Sequence, residues 1–200
     1  MTISVITEAQ RQFKLYISGD KSAIHPNLRT AVFRIAIRYG GQAEYDALKH
    51  EWATTTSVDG KEIALCAMGQ IQDTTTLLPD FLSFLFDSVA VQDVHTAAAA
   101  LSMNAKTRAG LWQFIKGNWE MVRRHLSGSI VVLDRFLKLS LQKFTDLETE
   151  KDISEFFKDK DNRGYDRTLG VVSDTIRGRA GYRIRDQDIV LEWLKVHGYA

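Results

Sequence analysis

The chain has 200 residues, of which 44% are apolar and 26% charged, and its formal net charge at pH 7 is +1. This composition is typical of one well-cored globular domain, so we expect residues 1–200 to form a single domain. The near-zero charge gives no general attraction to nucleic acid or to an anionic membrane, and no apolar run approaches the roughly 20 residues that span a bilayer.

The first ten residues, MTISVITEAQ, contain neither a basic leader nor an apolar signal core. Because nothing there marks secretion, the expected location is the reducing cytoplasm. Cys66 is the only cysteine and cannot form an internal disulfide. In the helical pattern IALCAMG it is predicted to be a small buried side chain rather than a nucleophile.

The first part of the chain has apolar residues at the spacing of α-helices. Thr7 is predicted to cap a first helix that buries Phe13 and Ile17 and ends at Gly19. The next two helices are expected to form an antiparallel pair joined at Gly40. Their predicted inward residues are Leu28, Val32, Ile35 and Tyr39 in the first helix, and Tyr45, Leu48 and Trp52 in the second.

Three shorter helices are predicted to follow. The first presents Ile63, Leu65, Ala67 and Met68. The second runs from Leu77 to Phe86 with Pro79 near its start, where proline is tolerated. The third contains the run TAAAALSM after Asp93, and its small side chains allow neighbouring helices to approach closely.

The strongest helical pattern lies between Leu111 and Phe144, and we expect it to form a central helical hairpin with its turn at Ser127-Gly128-Ser129. The predicted buried residues are Leu111, Ile115, Trp119, Val122 and Leu126 before the turn, and Ile130, Leu133, Leu137, Leu141 and Phe144 after it. Two later helices are predicted, the first with Ile153, Phe156 and Phe157 facing inward and the second with Leu169, Val172 and Ile176 facing inward. A final apolar segment contains Ile189, Val190, Trp193 and Leu194.

Pairs of short helices joined by tight turns, without strand-like alternation, predict an all-α fold. The expected architecture is a right-handed stack of antiparallel helix pairs, a HEAT- or armadillo-like α-solenoid with a concave face. Solenoids commonly hold an extended ligand on that face.

Several segments of the chain, taken in order, carry a resemblance to a known family. They are KEIALCAMG at 61–69, Gln92-Asp93-Val94, Trp112-x-Phe114-Ile115-x-x-Asn118-Trp119-Glu120, Arg135-x-x-Lys138-Leu139-Ser140, and Asp186-x-Asp188-x-Val190-x-x-Trp193-Leu194. Together they resemble the C-terminal helical domain of zinc aminopeptidases of the aminopeptidase N and puromycin-sensitive class, in particular the cytosolic fungal branch. The resemblance implies a bowl of paired helices that closes over a catalytic domain.

A zinc aminopeptidase needs two histidines one helical turn apart with a glutamate between them. His50-Glu51 begins such a motif, but Thr54 stands where the second histidine is required. The five histidines, His25, His50, His95, His125 and His197, show no ligand spacing. We therefore expect no catalytic residue, metal site or cofactor in this chain, and the resemblance implies zinc in the catalytic domain of a larger enzyme.

Arg135 is the single candidate for a substrate-binding residue. It lies in the apolar run DRFLKLSL, where an arginine must reach the rim of the helix or meet a carboxylate, and its guanidinium suits a peptide carboxylate. From composition alone, an ion pair with Asp134 or with an acid of a neighbouring helix is the commoner arrangement. The resemblance implies that Arg135 corresponds to an arginine that some family members project into the substrate cavity.

The resemblance implies a non-catalytic C-terminal domain of a cytosolic zinc aminopeptidase, whose partners are the catalytic domain of the same enzyme and the peptide substrate. Its role would be to enclose the peptide and help set its size and selectivity. A free-standing helical-repeat module that binds a protein segment is the alternative. Nucleic-acid binding ranks lower, because the arginines from Arg163 to Arg185 follow an acidic run at 146–161 with which they are expected to pair.

Overall fold

A computed structural model describes residues 2–199, which contain eleven α-helices and no β-strand, so the all-α prediction is confirmed. Short 3₁₀ turns lie at Lys21–Ala23, Pro26–Leu28 and Val91–Asp93. The helices are α1 (Ile3–Ile17), α2 (Arg29–Tyr39), α3 (Gln42–Thr54), α4 (Val58–Met68), α5 (Leu77–Asp87), α6 (Val94–Met103), α7 (Arg108–Gly117), α8 (Trp119–Leu126), α9 (Ile130–Leu141), α10 (Leu147–Lys158) and α11 (Asp166–Val196).

Helix starts follow local side-chain chemistry at several positions. The Ser57 hydroxyl accepts a hydrogen bond from the backbone N–H of Gly60 at the start of α4, at 3.1 Å. Pro79 lies in the first turn of α5, as predicted. The start of α1 differs from the prediction, because the helix already begins at Ile3 and Thr7 lies inside it instead of capping it.

One set of helices forms a series of neighbours in which α2 packs on α4, α4 on α6, α6 on α9 and α9 on α11. The contact between α6 and α9 is the most extensive in this series. The predicted close approach at the alanine-rich helix is confirmed where α6 meets the end of α4. A Cβ atom added to Gly69 would lie 2.5 Å from Cβ of Ala100, so this approach requires glycine.

Five of the other helices, α1, α3, α5, α7 and α10, are joined by what we call carboxylate clamps. In each clamp, one carboxylate accepts hydrogen bonds from an aromatic side chain and from a lysine. The three clamps are Glu51 with Tyr16 (3.0 Å) and Lys21 (2.7 Å), Asp80 with Tyr45 (2.6 Å) and Lys49 (2.7 Å), and Asp152 with Trp112 and Lys116 (2.7 Å each). The aromatic donor precedes its carboxylate by 35, 35 and 40 residues. The helical repeat, the right-handed stack and the concave face stay predictions.

The buried face of α2 differs from the predicted one. Val32 is buried as expected, but Leu28 and Tyr39 are 52% and 43% exposed. Instead, Phe33, Ala36 and Ile37 are buried. The reason is that α2 packs against both α1 and α4, so its buried surface is wider than a single stripe and is rotated away from it.

The prediction of the central hairpin is correct for most of its core residues but wrong in treating residues 111–126 as one unbroken helix. The predicted helix from Leu111 to Leu126 divides at Asn118, where the backbone leaves the helical region (φ −122°, ψ 25°) and the side-chain amide donates to the Phe114 carbonyl at 3.0 Å. All five predicted residues before the turn are buried. After the turn, Ile130 is 55% exposed, so its predicted burial is wrong, and α9 packs mainly on α6 rather than on α8.

The last helix, α11, is one 31-residue element where two separate segments were predicted. Val172, Ile176 and Ala180 are buried, and no residue from 181 to 199 is. We call residues 181–199 the C-terminal arm. Its exposed large apolar side chains are Tyr182, Ile184, Ile189, Val190, Leu191, Trp193, Val196 and Tyr199.

The buried apolar side chains from Ala9 to Ile176 form one continuous cluster. Within the described part of the chain, no helix has the length and apolar content needed to cross a membrane.

Asn104 connects α6 to the end of α4. It is 5% exposed, and its side-chain amide donates to the carbonyl oxygens of Gly69 (3.1 Å) and Ile71 (2.7 Å). Its own carbonyl oxygen accepts from the backbone N–H of Lys106 at 3.1 Å. The amide therefore satisfies two backbone carbonyls that the helices leave without partners.

We predict that Asn104→Ala lowers the free energy of unfolding by about 1–3 kcal/mol, because it leaves buried polar groups without hydrogen bonds. Urea denaturation measures this loss. Asn27→Ala is the control, since Asn27 is exposed, and it should change stability by less than about 0.5 kcal/mol. Equal effects of the two substitutions would contradict the assigned role of Asn104.

We also predict that Tyr45→Phe destabilises the protein by about 1 kcal/mol, because the buried hydroxyl donates to a partly exposed carboxylate. Thermal and urea unfolding measure the change. Tyr39→Phe is the matched control, since Tyr39 is 43% exposed and its hydroxyl makes no hydrogen bond within residues 2–199. A loss no larger than that of the control would show that the Asp80 clamp adds nothing to stability.

Candidate functional site around Arg135

Arg135 lies on the exposed side of α9, while its neighbours Phe136 and Leu137 are fully buried. Among residues 2–199, no carboxylate forms an ion pair with Arg135. The pair with Asp134 or a neighbouring acid that composition favours is thus absent from the described structure. Its guanidinium is exposed to solvent and makes no hydrogen bond to any residue that the structure describes.

Arg135 acts electrostatically on His95 of α6. Burial and, next in size, the positive charge of Arg135 lower the pKa of the His95 imidazole. A backbone hydrogen bond at Gln92 and the carboxylates of Asp93 and Glu62 act in the opposite direction. These charged groups therefore share one surface that crosses α4, α6 and α9.

Two grooves lie on this surface and share Thr96. One, of about 270 Å³, is lined by Val58, Lys61, Glu62, Leu65, Gln92, Asp93 and Thr96. The other, of about 260 Å³, is lined by Arg34, Cys66, His95, Thr96, Ala99, Ala100, Met103 and Leu139. Leu139 lies one helical turn after Arg135, on the same face of α9.

The size of these grooves limits what they can bind. Each is smaller than the roughly 300–1,000 Å³ of a typical small-molecule pocket. Their walls combine apolar side chains with charges of both signs. The arrangement fits side chains of an extended segment better than one enclosed ligand.

Cys66 is half-buried in the wall of the second groove, so it is less buried than predicted. Burial and the nearby carboxylate of Glu62 raise the pKa of its thiol, and Arg34 partly opposes them. A raised pKa reduces the thiolate fraction at neutral pH. This environment is that of an unreactive thiol, in keeping with the prediction from the sequence.

The incomplete zinc motif lies on α3. The Glu51 carboxylate accepts hydrogen bonds from Tyr16 and Lys21. The Thr54 hydroxyl donates to the backbone carbonyl of His50 at 2.9 Å. Across residues 2–199, no three histidine, cysteine, aspartate or glutamate side chains are grouped so that they could hold a metal ion. These residues do not fit the zinc site of an aminopeptidase.

Trp119 belongs to the core and not to a binding site. It is 6% exposed and packs edge-on against Phe156, Phe157 and Tyr165, with ring centroids 5.1–6.1 Å apart. This aromatic cluster holds α8 against α10 and the start of α11.

The arginines near the C-terminus are partly paired with carboxylates, as predicted. Arg163 pairs with Asp161 at 2.6 Å, and Arg185 pairs with Asp186 at 2.7 Å. Arg177 pairs with Glu150 at 2.9 Å. The charge of this region is therefore balanced locally instead of forming a uniformly basic surface.

Arg135 could be identified from the sequence, but the groups around it could not. His95, Glu62 and Arg34 come from helices far apart in the chain, so no local motif connects them. A signal was available, because the segments 61–69 and 92–94 that carry the family resemblance contain Glu62, Cys66 and Asp93.

Comparison with known proteins identifies the family of this chain. The family described as "ERAP1-like C-terminal domain" matches residues 2–178. The chain belongs to this family. The resemblance to the C-terminal helical domain of aminopeptidases is therefore confirmed.

The fungal relatives are aminopeptidases. Aminopeptidase 2 of Candida albicans is 31% identical over 193 residues, which cover 96% of this chain and 21% of that protein. Alanine/arginine aminopeptidase of Saccharomyces cerevisiae is 32% identical over 192 residues, covering 96% and 22%. "Aminopeptidase 2, mitochondrial" of the same yeast is 30% identical over 192 residues, covering 96% and 20%. The chain thus spans about one fifth of the length of these relatives.

We predict that Arg135→Ala raises the pKa of His95, because it removes a positive charge that disfavours the imidazolium. A proton NMR titration of the histidine ring signals measures the shift. Arg123→Ala on α8, where Arg123 pairs locally with Glu120, should leave the His95 titration unchanged. An unchanged His95 pKa in Arg135→Ala would show that the two side chains do not face each other.

The lowered pKa of His95 also predicts a direction for stability. Near pH 6 the unfolded chain binds more protons at this residue than the folded protein does, so the stability contribution of His95 grows as the pH rises toward and through 6.5, the ordinary pKa of histidine.

Proposed function

We propose that this chain is a non-catalytic helical domain of a zinc-dependent aminopeptidase, and that it encloses the peptide substrate and helps set its size and selectivity. Residues 1–200 act as one domain of the larger enzyme. The single observation that carries the proposal is membership of the ERAP1-like C-terminal domain family over residues 2–178. The one-fifth share of each aminopeptidase relative supports it, since most of each relative lies outside the matched part.

In this proposal, the catalytic domain of the same polypeptide holds the zinc ion and carries out hydrolysis. The present chain contributes surface, charge and shape, which exclude water and orient the substrate when the domains close. The peptide and the catalytic domain are its two partners. The proposed location is the cytoplasm, although one yeast relative carries the word mitochondrial in its name.

Arg135 is the proposed substrate contact of this domain. It is exposed on α9, one helical turn before Leu139 in the wall of the second groove, and makes no ion pair among the described residues. Its planar guanidinium can bind a carboxylate of the peptide through two parallel hydrogen bonds. The opposing carboxylates Glu62 and Asp93 would disfavour acidic side chains a short distance away and so give the peptide a preferred direction.

In the full-length enzyme, we predict that Arg135→Ala lowers kcat/KM for peptides of several residues by about tenfold or more, because it removes the charge-assisted hydrogen bonds to the peptide carboxylate. Turnover of a single-residue aminoacyl anilide, which does not extend to this domain, should change by less than about twofold. Steady-state kinetics on both substrates measure the difference. Arg123→Ala is the control and should leave both rates unchanged. Arg123 lies on α8 and not on α9, and it already pairs with Glu120 of the same helix.

The stability of the variant separates a binding role from a structural one. Because Arg135 is exposed and unpaired, its removal should change the free energy of unfolding by less than about 0.5 kcal/mol. Equal kinetic losses on long and short substrates, or no loss on either, would refute Arg135 as a peptide contact.

A second candidate is a free-standing module that binds a protein segment, and the exposed apolar side chains of the C-terminal arm favour it. The mass of the cellular protein distinguishes the two. A polypeptide of aminopeptidase length with zinc-dependent activity supports the enzyme domain, whereas a 22.7 kDa product supports the module.

A further inference from the structure

The C-terminal arm carries an apolar stripe whose side chains are more than half exposed in the described structure. Tyr182, Ile189, Trp193 and Val196 follow at steps of seven, four and three, which places them on one face of a helix. Their exposed fractions are 60%, 68%, 54% and 76%. Removing apolar side chains from water is favourable, so a surface that covers these four would be stabilised by the contact.

The stripe does not continue the face that α11 buries against the rest of the protein. At about 100° per residue, it is rotated by about 130° from the face of Val172, Ile176 and Ala180. The protein surface that buries Val172, Ile176 and Ala180 therefore could not also cover the stripe if it extended along the arm. Covering the stripe takes a different surface.

The charges of the arm exclude two kinds of occupant. Arg183, Arg185 and Lys195 are balanced by Asp186, Asp188 and Glu192. Helices that bind membrane surfaces are rich in lysine and arginine on their polar face, and nucleic-acid surfaces are strongly basic. A neutral helix with an aromatic and aliphatic stripe is typical of an interface between protein domains.

The aromatic side chains at the end of the arm stack on one another. The Trp193 ring stacks on His197 with ring centroids 4.1 Å apart, and lies nearly parallel to Tyr199 at 6.1 Å. A tryptophan held in one orientation loses little conformational entropy on binding, and tryptophan and tyrosine are enriched among residues that dominate binding energies.

We propose that the arm docks, through Tyr182, Ile189, Trp193 and Val196, onto the part of the aminopeptidase polypeptide that lies outside these 200 residues. This inference rests on the proposed function, because that function supplies the longer polypeptide. In the relatives, about four fifths of the protein lies outside the matched region. The match itself covers 96% of this chain, which leaves about eight residues outside it, so the match includes most of the arm.

The size of the stripe favours this occupant over a second copy of the chain. A stable interface between separate proteins buries roughly 800 Å² on each partner, which is more than four side chains of one helix provide. A surface on the same polypeptide is held nearby at an effective concentration in the millimolar range, so a smaller contact suffices.

The test compares amide hydrogen exchange of residues 181–199 in the full-length enzyme and in the 200-residue chain. We expect these amides to exchange at least about tenfold more slowly in the full-length enzyme, because docking suppresses local opening of the arm. In the full-length enzyme, Trp193→Glu should restore the fast exchange. Leu191→Glu is the control on the opposite side of the same helix, and it should keep the protection.

Each other outcome counts against the proposal in a distinct way. Equal exchange in both proteins, with zinc-dependent peptidase activity present, overturns the docking and leaves the proposed function standing. Protection in the 200-residue chain that grows with its concentration identifies a second copy and overturns the commitment to the same polypeptide. A cell that contains only the 22.7 kDa polypeptide removes the proposed function and the docking together.

Discussion

The structure depends on one constraint, which is that almost none of its helices is long enough to be stable alone. Apart from α11, they have 8 to 15 residues, and isolated helices of this length are marginal in water. Each must bury an apolar face against its neighbours on both sides. The continuous cluster from Ala9 to Ile176 is the result, and the clamps at Glu51, Asp80 and Asp152 fix which helices meet.

The same constraint explains how much of the fold the sequence could predict. The 3.6-residue period locates the helices and the core of the central hairpin, because these depend on local spacing. It fails for α2, where packing against both α1 and α4 brings Phe33 and Ile37 into the core in place of Leu28. The break at Asn118 was also not predictable from apolar spacing, since the buried residues continue in phase across it.

The site around Arg135 was predictable only in part, because it too depends on which helices pack together. The period of α9 allows Arg135 to lie outside the core, but whether an acid pairs with it depends on which helices lie beside α9. The structure shows α6 there, which brings His95 close to Arg135 and places the groove that His95 and Leu139 line on the same surface. The carboxylate clamps could not be predicted either, because each joins an aromatic residue to a carboxylate 35 to 40 positions later in the chain without a sequence repeat.

The arm and Arg135 are connected through the contact between α11 and α9. The Arg179 guanidinium of α11 donates to the backbone carbonyl of Gln142 directly after α9, and Glu150 of α10 accepts from Ser173 and Arg177 of α11 at 2.5 and 2.9 Å. These bonds attach the single long helix to the helices that end the core. Under the proposed docking, a partner that holds the arm would therefore also act on the orientation of α9. In the proposed enzyme, the docking that covers Trp193 would set the distance between Arg135 and the catalytic domain, so weakening it should alter peptide selectivity before it affects hydrolysis itself.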